Sequence, residues 1–218
     1  MLFNPEQERV YVVRDILPEE SPIVECDYLT QLRQASGARA VDLLHVSLVT
    51  NNEVGAIAEK YPNDHPEHLL IDALGELQLP AMQYGHISGA RVFGNVDNPA
   101  ASRFYIGSLL DAEGSRRMQQ DVSRILGYFG LSRTLERQKG KHYDFHVSFL
   151  KMNDDRSYAE YQARGVKDAV GQRQAIATSH PVVSSRRLGE KTVEKQPGRL
   201  CHNRLVRRYW PGFEPAAV

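Results

Sequence analysis

Tyr143-Asp144-Phe145-His146-Val147-Ser148-Phe149-Leu150 has a near copy in Leu43-Leu44-His45-Val46-Ser47-Leu48-Val49, so that His-Val-Ser is written twice, 101 positions apart. Both copies alternate with the period of a strand, in which successive side chains point to opposite faces. His146 and Ser148 therefore share one face, as do His45 and Ser47. Phe145, Val147 and Phe149 in one copy, and Leu44, Val46 and Leu48 in the other, form an apolar face that needs a core. Each strand is expected to bury its apolar side and present its His-Ser side.

A strand rises about 3.3 Å per residue, which sets the His and Ser of one copy roughly 6 to 7 Å apart. That span suits one phosphate. An imidazole can move a proton at one end of such a group while a hydroxyl donates to a non-bridging oxygen. Two facing pairs supply a base, an acid and two anion donors, and this chemistry requires no metal and no cofactor.

The 218 residues, 41% hydrophobic and 25% charged, fit a globular protein with a sizeable core. The formal net charge is zero, which argues against a protein that tracks long RNA. The charge is unevenly spread. Residues 1–65 carry 11 acidic and 5 basic side chains, whereas 173–208 carry 9 basic and 2 acidic ones. The basic C-terminal segment, about 185–218, reads either as an aid to holding a phosphorylated ligand or as a solvated tail. Cys26 and Cys201 give no disulfide framework, and no segment approaches 18 continuous apolar residues. The expectation is a cytoplasmic, monomeric protein that does not engage membranes.

Outward from the two motifs, Arg9 to Arg14 reads as a first strand and Tyr28 to Ala35 as a short helix. Glu53 to Lys60 and Pro66 to about Leu79 read as helices. Tyr84 to Phe93 and Arg103 to Leu110 read as strands joined across a Gly94 to Pro99 turn. Met118, Val122, Ile125, Leu126 and Phe129 recur at helical spacing, with Gly130 as the stop. A helix over Ser157 to Val170 and a strand around Ala175 to Ser184 complete the order. These elements predict an α+β fold: one bilobal domain over 1–218, with two pseudo-symmetric lobes, each a small antiparallel sheet with helices outside, around a central cleft.

With two His-x-Ser motifs, each followed by an apolar residue, the chain resembles the two-histidine (2H) phosphoesterases, which include 2'-5' RNA ligase-like proteins, 2',3'-cyclic nucleotide phosphodiesterases and viral nucleases. The opening strand, the short helix before the first motif, the Gly89 to Gly94 segment and the helix before the second motif fall in similar places, so the match covers about residues 8 to 150. Both motifs carry Ser where Thr is common, and Phe145 stands where a Pro often precedes the second His. The resemblance implies in-line attack at phosphorus in a cleft between two sheets. His45 and His146 would divide the roles of general base and acid, and Ser47 and Ser148 would hold phosphoryl oxygens. It implies a small nucleotide or an RNA end as substrate, either a 2',3'-cyclic phosphate or a 2'-5' linkage. Cyclic oligonucleotide second messengers, which phage-encoded members degrade to disarm host CBASS immunity, are the alternative, with the host cytoplasm as location. A catalytically silent nucleotide- or RNA-binding module of the same fold is a further one. Tyr11, Tyr143 and Trp210 are the candidates to stack on a base. A zinc reading would draw on His65 and His68, His142 and His146, or Cys201 and His202. Zinc needs three or four convergent ligands, so His65, His68, His86, His142, His180 and His202 are assigned to surfaces or loops.

Overall fold

The computed structural model of the chain describes residues 3–4, 7–17, 33–34, 38–41, 44–93, 105–133, 145–151 and 174–187. The first half contains strands β1 (Glu8–Asp15), β2 (Arg39–Ala40) and β3 (His45–Val49), then helices α1 (Asn51–Lys60) and α2 (Pro66–Leu77). The second contains β4 (Met82–Phe93), β5 (Tyr105–Leu110), α3 (Ala112–Tyr128), β6 (His146–Lys151), β7 (Gln174–Thr178) and β8 (Val182–Arg187). The expected helix over Ser157 to Val170, the Gly94 to Pro99 turn and most of the Tyr28 to Ala35 helix lie outside the described residues, as does the C-terminal segment beyond 187.

Each helix begins where its sequence supplies a cap. At α1 the Glu53 carboxylate reaches back to accept from the Thr50 amide at 2.7 Å, closing a capping box. His65 caps α2 and Pro66 opens it, while Gln78 in the left-handed conformation ends it. Asp111 Oδ1 accepts from the Gly114 amide at 2.7 Å and starts α3 a turn and a half before the apolar stripe begins. Met118, Val122, Ile125 and Leu126 of that stripe are buried, as their spacing predicts. Gly130, with φ at 62°, turns the chain out of the helix.

The strands form an antiparallel sheet in the order β7-β4-β5-β6-β3-β1-β8, with β2 also on β6. Two half-sheets, one holding the first His-Val-Ser copy and one the second, meet at β3 and β6 through the register pair Val46–Val147. This is the α+β arrangement of antiparallel strands and outer helices that the element order implies. α1 and α2 pack on β1, α2 also on β8, and α3 on β3, β4 and β5. Val10, Val12, Val46, Leu48, Val147 and Phe149 fill the core between sheet and helices.

The stretch Ala175 to Ser184 is not one uninterrupted strand. Pro181 has no amide for a ladder bond, and around it the chain changes partners. β8 runs along β1 from Val182 to Arg187, whereas β7 lies on β4. The Ile16–Thr178 bridge, the Leu17 amide on the Ala177 carbonyl (3.0 Å) and the Ser179 amide on the Asp15 carbonyl (2.9 Å) tie β7 to the end of β1 as well. The two half-sheets are thus joined twice, at β3–β6 and again where the 174–187 segment passes from β1 to β4.

Arg14 sits at this second junction. Its residue is fully buried, and its Nη1 donates to the carbonyls of Pro80 and Ser179, both at 2.8 Å, while Nη2 pairs with the Asp121 carboxylate of α3. One guanidinium therefore fastens the entry to β4, the bend before β8 and the middle of α3 to β1. Burial pulls its pKa below the ordinary value, and the charge of Asp121 opposes that pull. Its Nε has no partner among the described residues, so the pairing offsets only part of the desolvation. Removing one member leaves the other buried without its counter-charge. Arg14→Ala and Asp121→Ala are each expected to cost about 3–5 kcal/mol in urea unfolding, and the double variant much less than their sum, because the two share one interaction.

Candidate active site

The two His-Val-Ser strands are neighbours. Antiparallel pairing of Val46 with Val147 sets His45 across from Ser148 and Ser47 across from His146. Val46 and Val147 are fully buried on the helix side, and the two His-Ser pairs are half-buried on the opposite face. From strand spacing and rise, the four side chains mark a rectangle of about 5 by 7 Å, with the imidazoles at diagonal corners roughly 8 Å apart.

The frame around each motif repeats in detail. On one side, Val12 pairs with Val49 and Val13 with Ser47, so Leu48 is an extra residue in β3. On the other, Ile106 pairs with Leu150 and Gly107 with Ser148, so Phe149 is the extra residue in β6. Each is a β-bulge directly after the motif serine, and it lets two successive apolar residues, Leu48–Val49 and Phe149–Leu150, both be buried. A bulged residue leaves backbone groups outside the ladder that still need partners. The Phe149 carbonyl accepts from the Val41 amide at 2.8 Å, and the Leu48 carbonyl accepts from Arg133 Nη2. Arg133 is itself held by the Glu53 carboxylate and lies 5.7 Å from the ring centroid of Phe145, the residue before His146. It links the end of one motif to the beginning of the other.

The flanking strands break this symmetry. Asp15 is the register partner of His45, whereas Leu109 is the partner of His146. The Ile16 amide donates to Leu44, and the Leu110 amide to Phe145, both at 2.8 Å. The adjacent pairs Asp15–His45 and Leu109–His146 are therefore the kind without ladder bonds of their own, in which side chains stand closest. One histidine has an aspartate as its register partner in the flanking strand and the other a leucine. Asp15 lies outside the apolar alternation of Arg9 to Arg14, and only the pairing of β1 with β3 reveals it.

Of the aromatic candidates, Tyr11 lies on the His-Ser side of β1, in the same alternation as Val13 and Asp15. Tyr143 and Trp210 lie outside the described residues, as do His142, Cys201 and His202. His65 has a structural place: it caps α2, and its Nε2 lies 3.1 Å from Glu8, with Phe3 and His68 edge-on to its ring. His86 Nδ1 is 3.3 Å from the Asp111 carboxylate. Among the described residues, no cluster of three or more His, Cys, Asp or Glu is placed to hold a metal ion. No described helix is long and apolar enough to cross a membrane.

No protein-family model matches the chain, and no curated protein matches it. Among solved structures it is similar to Usb1 of Kluyveromyces marxianus, at 16% identity and a TM-score of 0.44, over 83% of this chain and 98% of that one.

Among the described glycines, Gly107 is the position where backbone approach is tightest. A Cβ there would meet the Val147 carbonyl oxygen at 2.1 Å and Ser148 Cα at 3.0 Å, both backbone atoms of β6. No rotamer relieves such a clash, so β6 itself must move. Gly107→Ala is expected to lower stability by about 1–3 kcal/mol or more, read from thermal unfolding. Gly55→Ala, with open space around its Cβ on α1, is expected to be neutral or stabilising.

Proposed function

We propose that the chain is a phosphodiesterase of the two-histidine type, hydrolysing a nucleotide or RNA-end phosphodiester, a 2',3'-cyclic phosphate or a 2'-5' linkage. The observation that carries this reading is the crossed placement of the motifs, His45 opposite Ser148 and Ser47 opposite His146 on one half-buried face. In-line displacement at phosphorus needs a proton acceptor on the side of the attacking oxygen and a donor on the side of the leaving oxygen. Diagonal imidazoles meet that demand, and the serines at the other two corners donate to the non-bridging oxygens as charge grows on them.

The difference between the flanking strands supports one division of the roles. His45, with the carboxylate residue Asp15 across from it in β1, is taken as the general acid. His146, beside Leu109, is the general base. It takes a proton from water as the new O–P bond forms. His45 gives its proton to the departing oxygen as the old P–O bond breaks, and exchange with solvent resets both rings. Tyr11, on the same face of β1, offers a ring on which a base can stack.

The test is a panel in EDTA: 2',3'-cyclic AMP, 2'-5' oligoadenylate, cyclic dinucleotides and cyclic trinucleotides. Turnover is expected to persist in EDTA, and His45→Ala and His146→Ala are each expected to lower kcat about 10²- to 10⁴-fold. A preference for the cyclic oligonucleotides would assign the protein to the degradation of second messengers. Binding without turnover of any member, or turnover abolished by EDTA, would sink the reading. Asp15→Asn removes the carboxylate across from His45 and is expected to lower kcat on the preferred member of the panel.

A further inference from the structure

We propose that Arg133 is a positioning residue of the site, holding Ser47 and His146 at their spacing where the two half-sheets meet, so that the chemical step depends on it. This role rests on the phosphodiesterase reading and adds to it a residue that neither motif contains.

The junction itself is narrow. The two motif strands are joined through one register pair, Val46–Val147, and a single pair fixes a meeting point better than it fixes an angle. On the His45–Ser148 side of that pair, β2 runs along β6. Arg39 and Ala40 pair with Lys151 and Leu150, and the Val41 amide closes on the carbonyl of the bulged Phe149. Backbone sets the spacing there. On the Ser47–His146 side, no strand among the described residues takes the corresponding place. The Leu48 carbonyl, left outside the ladder by the other bulge, accepts instead from Nη2 of Arg133.

That arginine is fixed from several directions. Its chain position follows the exit from α3, where Lys60 of α1 donates to the Phe129 carbonyl at 2.6 Å. Its Nε and Nη2 form a fork on the two oxygens of Glu53, with Nη2 2.7 Å from Oε2. Glu53 also accepts from the Thr50 amide, so the ion pair grips the backbone on both sides of Val49, at the Leu48 carbonyl and at the Thr50 amide. Across the junction the guanidinium carbon lies 5.7 Å from the ring centroid of Phe145, which directly precedes His146. The Arg133 and Glu53 side chains are only 12% and 19% exposed, so the pair is shielded from most of the screening that weakens surface pairs. A lysine would keep the charge but lacks the fork that reaches carboxylate and carbonyl together. A displacement of about 1 Å at a reacting group is enough to cost about 100-fold in rate, and Ser47 and His146 are the motif residues next to the two groups that Arg133 touches.

The experiment is a double-mutant cycle on kcat, run on the diester that the wild type turns over best. Arg133→Ala is expected to lower kcat about 10- to 100-fold with KM within about twofold. In a Ser47→Ala background the same substitution is expected to cost far less, and in a Ser148→Ala background its full amount, because Ser148 stands on the side held by β2. Should the alanine variant not fold, Arg133→Lys carries the same cycle. Leu70→Ala, which opens a cavity in α2, controls for lost stability and is expected to keep the wild-type kcat at a temperature where it is folded. Equal losses in both serine backgrounds, a wild-type kcat in the Arg133 variants, or the same loss in Leu70→Ala would overturn the positioning role and leave the catalytic reading standing. Should no diester be turned over, the imidazole NMR resonances of the two histidines decide the matter. Resonances of His146 that move in the Arg133 variant while those of His45 hold would support the brace although the catalytic reading has failed. Both moving alike, or neither moving, would overturn it.

Discussion

A guanidinium buried beneath the sheet sets the terms for the rest of this molecule. Arg14 brings a charge into the core, and there it meets the Asp121 carboxylate and two carbonyls from segments far along the chain. A buried ion pair is weak evidence of net stability, because both charges lose their hydration. What it supplies here is specificity of closure. α3, the entry to β4 and the bend before β8 must all arrive together for the charge to be accommodated. Arg14 is also the register partner of Val46, the residue between His45 and Ser47. The closing point of the sheet and the first motif are thus held by one pair of residues on adjacent strands.

The two halves share a frame and differ in what the frame carries. Bulge follows serine in both, and the amides of Ile16 and Leu110 donate to the residue before each histidine at the same 2.8 Å. Within this repeat, Arg14 corresponds to Ser108, Asp15 to Leu109, and Lys151 to Thr50. Symmetry alone would give two interchangeable imidazoles and no preferred direction for a ligand. Of the three departures, Arg14 is buried beneath the sheet, whereas Asp15 and Lys151 put charged residues beyond His45 and Ser148 where Leu109 and Thr50 put none, and the backbone that positions the histidines is left unaltered.

Much of this was legible in the residues. The alternation of the two His-Val-Ser stretches places their polar and apolar faces correctly, and the period of Met118, Val122, Ile125 and Leu126 finds the helix that covers them. What alternation leaves open is which strands lie side by side. Nothing local says that the two motifs are adjacent, since Val46 and Val147 meet through a pairing set by the whole sheet. The bulges were hidden as well, although the paired apolar residues Leu48–Val49 and Phe149–Leu150 break the two-residue period and are a usable signal. The partners of Arg14 are likewise invisible to local pattern. It shares the parity of Val10 and Val12, so the pattern already put it on the buried side, yet an arginine at a strand end reads as solvent-facing until its acceptors are known. Asp15 and Lys151 were passed over because each lies one residue outside the stretch that looked like motif.

The place of β1 bears on how the chain is made. Its partners are β3, which leaves the ribosome soon after it, and β8, which is among the last described segments to be synthesised. Until residues 174–187 emerge, one edge of β1 is unpaired and the Ser179 acceptor of Arg14 does not yet exist. An open strand edge beside a cation without its full set of partners is a poor place to begin a stable core and a ready template for pairing with another chain. The sheet is therefore completed late, when residues 174–187 close the open edge of the Val-rich strand β1.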